Sequence, residues 1–222
     1  KPHKQGVMRL ADGRSYVGEF DKGRFHGEGI LSWPDGRMYC GSWHQGKRQG
    51  QGLAILEAGL RYEGTWHRHR MHGQGHLRWP DGRRYLGEFQ HGAPQGLGQM
   101  EMPDGRQFDG HFLDGLPQGS GRLRVPDGRI FQGQWLNGEM LGEGLLKSPD
   151  GSVYQGLFLG EEPHGEGRLE TADGSVYEGT FEYGKPHGLG QLISPDGRSY
   201  RGTFEHGQAH GYGELKLSDG RR

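Results

Sequence analysis

Cysteine is almost absent from this chain, with Cys40 the only one. An internal disulfide and a cysteine-based zinc cluster are therefore excluded, and cysteine usage leaves the redox compartment open. No apolar run approaches the ~20 residues of a transmembrane helix. No signal peptide is visible; the compartment is left unknown, with a cytoplasmic or membrane-peripheral setting favoured and an extracytoplasmic one open. Lys1 falls in mid-motif with no initiator Met, which points to a fragment or a processed form. Net charge is small, −1, from 27 Lys and Arg against 28 Asp and Glu. No bulk field draws such a chain to nucleic acid, and no nucleic-acid partner is expected. Catalytic signatures are missing too: no Gly-x-Ser-x-Gly elbow, no Walker-type loop and no Cys–His arrangement. Carboxylates are dispersed, with no unique pair for acid–base work, so neither an enzyme nor a cofactor is expected. Hydrophobic residues make up only 30% of the chain, thin for burying a three-dimensional core.

Glycine and the aromatics are present in quantity and in order. Glycine contributes 46 of the 222 residues, about a fifth, against roughly 7% in average proteins. Aromatic residues recur as heads of a repeated sentence: Tyr16, Tyr39, Tyr62, Tyr85, Phe108, Phe131, Tyr154, Tyr177 and Tyr200, each 23 residues after the last. Full copies span 16–38, 39–61, 62–84, 85–107, 108–130, 131–153, 154–176, 177–199 and 200–222. A half copy, 1–15, precedes them, with His3, Gly6, Met8 and Asp12-Gly13 in phase. Such self-similarity marks a repeat architecture.

Within a copy the residues alternate. Tyr16, Gly18 and Phe20 share one side of a strand, as do Gly27, Gly29, Leu31 and Trp33 in the next run. The intervening positions, such as Glu19, Glu28 and Ser32, are mainly polar, so each copy predicts two short strands with one apolar and one wet face. Pro-Asp-Gly at 34–36, 80–82, 103–105, 126–128, 149–151 and 195–197 supplies turn chemistry. The other connector, Asp21–His26 or His91–Gln95, reads as longer and polar. Short connectors predict antiparallel neighbours. A bare glycine beside a ring leaves room for the ring to lie on the backbone, which compensates a weak strand position. The expectation is all-β: an elongated single-layer antiparallel meander, a solenoid of stacked hairpins of about 18–20 strands, on the order of 90 Å long before twist.

The pattern Tyr-x-Gly-x-Trp/Phe-x-x-Gly-x-x-His/Gln-Gly-x-Gly-x-Leu-x-x-x-Asp-Gly resembles the MORN repeat (membrane occupation and recognition nexus). "YEGTWHRHRMHGQGHLRWPDG" and "YEGTFEYGKPHGLGQLISPDG" carry most of its key positions, and the resemblance covers the whole chain. It implies a non-catalytic module of stacked β-hairpins that binds proteins, sometimes dimerises, and in some members is proposed to touch phospholipid. Four copies depart locally: Ala58-Gly59 replaces Asp-Gly, His69 and Glu161 stand at the loop glycine (Gly160 comes one place early), and Leu141 replaces His or Gln.

Three sets of residues are candidates for function. The first is an aromatic groove of Trp33, Trp43, Trp66, Trp79, Met102, Tyr39, Tyr62 and Tyr85, suited to an extended or helical protein segment. Its competing reading is packing between repeats, especially for the head aromatics. One column that passes through it, Trp33, Leu56, Trp79, Met102 and Val125, turns mostly polar later, at Ser148, Thr171 and Ser194. The second set is an edge of arginines after the Asp-Gly turns, with Arg37, Arg83, Arg106 and Arg129 as its centre. Arginine forks suit anionic phospholipid, but an aspartate two residues earlier in each turn largely cancels the field. The third set is histidine. His3, His26, His72, His164, His187 and His210 recur one per repeat, too far apart to converge on one ion, and read as turn hydrogen-bonders. Only His67, His69, His72 and His76 cluster locally, and no metal site is assigned to them. Self-association, into a homodimer or end to end, is a further reading.

Overall fold

The computed structural model describes residues 4–221. His3 and Arg222, used above to phase and end the repeats, lie outside the described residues. The chain divides into two compact units. The first, Lys1–Leu116, carries ten strands: β1 (Lys4–Arg9), β2 (Ser15–Asp21), β3 (Arg24–Ser32), β4 (Met38–His44), β5 (Lys47–Ile55), β6 (Arg61–His67), β7 (Arg70–Arg78), β8 (Arg84–Gln90), β9 (Ala93–Glu101) and β10 (Gln107–Leu113). A short 3-10 turn, Glu57–Gly59, stands where Ala58-Gly59 breaks the repeated turn sequence. The second unit, from Pro117 on, carries β11 (Leu116–Arg124), β12 (Ile130–Leu136), β13 (Glu139–Lys147), β14 (Val153–Leu159), β15 (Glu162–Glu170), β16 (Val176–Glu182), β17 (Lys185–Ile193), β18 (Ser199–Glu205) and β19 (Gln208–Lys216). In each unit every strand pairs antiparallel with its neighbour in the chain. The all-β meander of stacked hairpins is as the repeat predicts, with 19 strands.

The two connectors are the reverse of the sequence reading. The run Asp21–His26 is not a long loop: β2 and β3 are joined by Lys22-Gly23 alone. Both residues take positive φ, 49° and 75°, the geometry of the two-residue turn that matches strand twist. Strand pairing therefore starts at Arg24, and Phe25 and His26 are strand residues. The Pro-Asp-Gly connector is the wider one, closed by Trp33 N–H donating to Arg37 C=O at 3.0 Å and Gly36 N–H to Trp33 C=O at 3.1 Å. The tight turns also tie repeats together. Gly46 N–H donates to Phe25 C=O, one hairpin back, at 2.8 Å, and Gly92 N–H to Met71 C=O at 3.1 Å.

Within the hairpin strands glycine has two further roles. Gly27 and its equivalents sit at a register shift between hairpin strands, with φ near 56° at Gly27. This is a bulge glycine in the left-handed region, not a plain strand residue. Gly29 belongs to a lane of glycines that face one another across strands: Gly6, Gly18, Gly29, Gly41, Gly52 and on to Gly110. The head tyrosine lies flat on this lane. A Cβ at Gly29 would overlap the Tyr16 ring, and one at Gly75 the Tyr62 ring. The phenol then reaches past the lane, and Tyr16 Oη donates to Glu19 C=O at 3.0 Å, beside the bulge. Tyr39, Tyr62, Tyr85, Tyr154 and Tyr177 repeat the same bond at 2.9–3.0 Å.

Candidate protein-binding surfaces

The aromatic face closes on itself. Tyr39 meets Trp43 of its own repeat at 5.0 Å and Trp66 of the next at 5.3 Å, both edge-to-face. Tyr62 does the same with Trp66 and Phe89, and Tyr85 with Phe89 and Phe112. Each such pair is worth ~1 kcal/mol beyond the area it buries. The indole of Trp43 donates to Gly29 C=O at 3.1 Å, and that of Trp66 to Gly52 C=O at 3.1 Å. The Arg48 guanidinium lies 4.4 Å over Trp66, and burial lowers its pKa. The predicted groove residues Tyr39, Trp43, Tyr62, Trp66 and Tyr85 are consequently only 0–4% exposed. They form the core of the first unit, and their rings offer a partner almost no surface. The glycine lane lets each ring lie down, and the next ring then covers it.

Burial also sets the phenols' acidity. Desolvation pushes the hydroxyls of Tyr16, Tyr62, Tyr85, Tyr154 and Tyr177 up to about 12.

Trp33, Trp79 and Met102 are placed differently. Each opens an x-Pro-Asp-Gly-Arg turn and is half-buried, as is Leu56 in the same column. Trp79 N–H bonds Arg83 C=O at 2.9 Å, and Met102 N–H bonds Arg106 C=O at 2.8 Å, so successive turns present the column alike. The Arg37 guanidinium lies 5.6 Å from the Trp33 ring centre and that of Arg83 5.0 Å from Trp79. The predicted arginine edge is committed within its own turns. Arg37, Arg83, Arg106 and Arg129 pair with Asp35, Asp81, Asp104 and Asp127 at 2.7–2.8 Å. The backbone N–H of the arginine, helped by its guanidinium, holds Asp81, Asp104 and Asp127 below the usual carboxylate range. For Asp35 the guanidinium contribution leads.

The histidine cluster does not converge. His67 Nδ1 faces Gln49 at 3.3 Å, His69 Nδ1 accepts from Arg48 N–H at 3.4 Å, and His76 Nε2 accepts from Arg78 at 3.4 Å. Among the described residues no three metal-binding side chains come together.

The face opposite the rings is where sequence reading missed most. It reads as wet within any one copy, yet across strands it is not. Val7, Val17, Ile30, Cys40 and Leu53 stand directly opposite one another on β1 to β5. All are exposed, the four aliphatic ones by 40–69%. The ladder continues through Glu63 and His76 to Leu86. A parallel ladder on the same face runs Met38, Ile55, Arg61, Arg78, Arg84 and Glu101. Burial, with Arg78 and Arg84 nearby, lowers the His76 pKa. Reading the alternate positions down the copies, rather than along one copy, is the signal that exposes these ladders.

A family model for the MORN repeat matches residues 16–36, 39–57, 62–83, 85–105, 108–128, 131–153, 154–176, 177–197 and 200–221. No curated protein sequence matches the chain. Among solved structures it is similar to the wild-type TCP10 domain of Danio rerio CPAP, with a TM-score of 0.50 and 17% identity over 89% of this chain and 94% of that one. The same domain in complex with a peptide of Danio rerio STIL gives a TM-score of 0.40 and 17% identity, over 98% and 96%. The SAS-4 (dCPAP) TCP domain of Drosophila melanogaster, in complex with a proline-rich motif of Ana2 (dSTIL), gives 0.46 and 13%, over 82% and 95%. At such identities the likeness concerns the fold alone.

Proposed function

This chain belongs to the MORN-repeat family, and we propose that it is a non-catalytic scaffold that binds an extended or helical segment of a partner protein along its turn edge. The observation that carries this reading is the column Trp33, Leu56, Trp79 and Met102. Most large rings of the first unit are buried in the core, whereas Trp33 and Trp79 keep exposed surface. Their rings are steadied by Arg37 and Arg83, which are themselves held by aspartates. Pre-ordered tryptophan, methionine and arginine are the residue types that dominate protein interfaces. Of the predicted groove, Trp33, Trp79 and Met102 are then the contact residues, and Trp43, Trp66, Tyr39, Tyr62 and Tyr85 support them from beneath.

The test is a quantitative pull-down from source-cell extract with wild type and a Trp33→Ala, Trp79→Ala double variant, both verified as folded by circular dichroism. A partner retained by the wild type and lost from the variant is the expected result. Equal retention by both chains overturns the placement. A vesicle-flotation arm addresses anionic phospholipid at Arg37, Arg83, Arg106 and Arg129, which would have to leave their aspartates to bind it. Light scattering across a concentration series addresses homodimers.

A further inference from the structure

We infer that the open face of β1 to β8 is a second docking surface, and that its occupant is an extended segment of a partner protein with apolar residues at one end and carboxylates at the other. This surface lies opposite the ring core and shares no residue with the turn edge proposed above. Its apolar half is the ladder Val7, Val17, Ile30, Cys40 and Leu53, broadened by Met38 and Ile55. A trough runs beside the ladder, floored by Gly6, Gly18 and Gly29 and bounded on its far side by Gln5 and Glu28. The glycine lane that admits the tyrosine rings on one face thus leaves a furrow on the other.

The second half of the surface is charged in a way the rest of the first unit is not. Arg61, Arg78 and Arg84 are direct cross-strand neighbours on β6, β7 and β8. At ~4.8 Å per strand the three guanidinium stems stand within about 10 Å. Like charges placed directly opposite repel. Neighbouring turn arginines are neutralised by an aspartate at 2.7–2.8 Å. Among the described residues no carboxylate pairs with Arg61 or Arg78, and Arg84 reaches only Glu101, at 3.7 Å. A row of three cations that shares one carboxylate, Glu101 at its far end, and is continuous with an exposed apolar ladder complements a ligand that is apolar and then acidic.

The chemistry favours a narrow segment over a membrane. An anionic bilayer resting on this face would also meet Glu63 and the row containing Glu19, Glu28 and Glu88. A single extended segment laid across the strands along the ladder meets the arginines and avoids most of those acids. From β1 to β8 there are seven strand steps, roughly 34 Å, which about ten residues span at ~3.3 Å each.

The test is selection from a random library of peptides about twelve residues long, using the whole chain as bait, followed by titration of a selected peptide by fluorescence anisotropy. The expected winners carry an aliphatic cluster and, separated from it, two or more Asp or Glu. Reversing the cluster, with Arg61→Glu, Arg78→Glu and Arg84→Glu together, should weaken the titrated peptide by about tenfold or more, and rising salt should weaken it in the wild type. Ile30→Glu with Leu53→Glu should cost a similar factor, whereas three Arg→Lys changes should retain most of the binding. Exposed positions make these variants fold-compatible, and the milder Arg78→Gln gives the same direction if the triple change does not fold. Winners without acids, no winners, or unchanged affinity in the reversed chain overturn the inference. So does flotation with phosphatidylserine vesicles that the reversed chain loses, because the cluster then serves a membrane. The Trp33→Ala, Trp79→Ala variant should bind the peptide normally, which separates a failure here from a failure at the turn edge.

Discussion

The two compact units share one plan beneath the surface and differ on it. In the first, Tyr62 lies over Gly75 and meets Trp66 and Phe89; in the second, Tyr177 lies over Gly190 and meets Phe181 and Phe204. Ring centres are 4.8–5.1 Å apart in all four pairs. The turn-edge column, however, is Trp33, Leu56, Trp79 and Met102 in the first unit but Ser148, Thr171 and Ser194 through the middle of the second. The open face of the first unit carries an aliphatic ladder continuous with Arg61, Arg78 and Arg84, which have a single carboxylate partner, Glu101 at 3.7 Å from Arg84. In the second, Arg168 pairs with Glu170 at 3.1 Å and Glu178 at 3.2 Å. What repeats is what holds hairpins together, and what varies is what the solvent or a partner meets. That division is the main reason to place binding in the first unit.

The largest effects should come from the shared interior, and they should be equal in the two units. Gly75→Ala and Gly190→Ala each push a Cβ into a buried tyrosine ring. Each should cost ~3 kcal/mol, the upper range for overpacking a filled core. Urea unfolding with hydrogen exchange by mass spectrometry would assign each loss to its unit. A markedly smaller loss at one position would show that the two ring stacks are not equivalent.

A sharper comparison lies in one column of the repeat. Met140 is 0% exposed, and its methyl occupies the space over Gly133 and Gly144 that a tyrosine hydroxyl would reach from Phe131. Met71, its counterpart in the first unit, is half-buried beside an intact tyrosine repeat. Met140→Ala should therefore cost ~3 kcal/mol, within the range for large-to-small core changes. Met71→Ala should cost ~1 kcal/mol, near the centre of point-mutant effects. The same unfolding measurement checks both, and equal losses would remove the compensation argued for Met140.

Tyr62→Phe and Tyr154→Phe remove the hydroxyl bonds to Thr65 and Leu157 C=O, both 2.9 Å, and for Tyr62 also a longer one to His72 C=O at 3.4 Å. Each should cost ~1 kcal/mol at neutral pH. The parent chain should also lose stability in alkali. The folded phenols titrate at about 12 against an ordinary 10.0. Below pH 10 both states are protonated and the stability is intact. As pH rises from 10 to 12 the unfolded chain releases the proton first, so stability falls. Each Phe variant should lose less across that window than its parent. A parallel decline in parent and variant would locate the alkaline sensitivity elsewhere.

How much of this was legible in the sequence depends on whether a residue's role is set by its own copy or by its neighbours. The strands, their antiparallel pairing and the glycine–aromatic match follow from alternation within one copy, and all three are present. The turn assignment failed because the mostly polar run Asp21–His26 reads as one loop although it contains Phe25, while two positive φ values at Lys22 and Gly23 close the hairpin at once. Trp43 and Trp66 read like Trp33 and Trp79, since all are tryptophans on the ring face. Their burial differs because the first two sit within β4 and β6 under neighbouring rings, whereas the others lie just past β3 and β7, in turns. The open-face ladders escaped because Val17, Ile30, Cys40 and Leu53 are adjacent only after register brings four strands together.

The smallest expected change in stability tests the central distinction. Trp79→Ser gives the first unit the turn-edge residue of Ser148 and Ser194 without touching the buried ring stack. Because Trp79 is half-buried at a strand end and its turn is closed by backbone bonds, the change should cost no more than ~1 kcal/mol. Partner retention, in contrast, should fall sharply if the column is the contact surface, since truncating one interface tryptophan often costs about 2 kcal/mol or more. Thermal unfolding and quantitative pull-down of the same sample read the two quantities side by side. A large loss of stability with unchanged retention would make Trp79 a structural residue like Trp66. A small loss of stability with abolished retention would mean that the repeat supplies the frame and that the polarity of one turn position decides which unit binds.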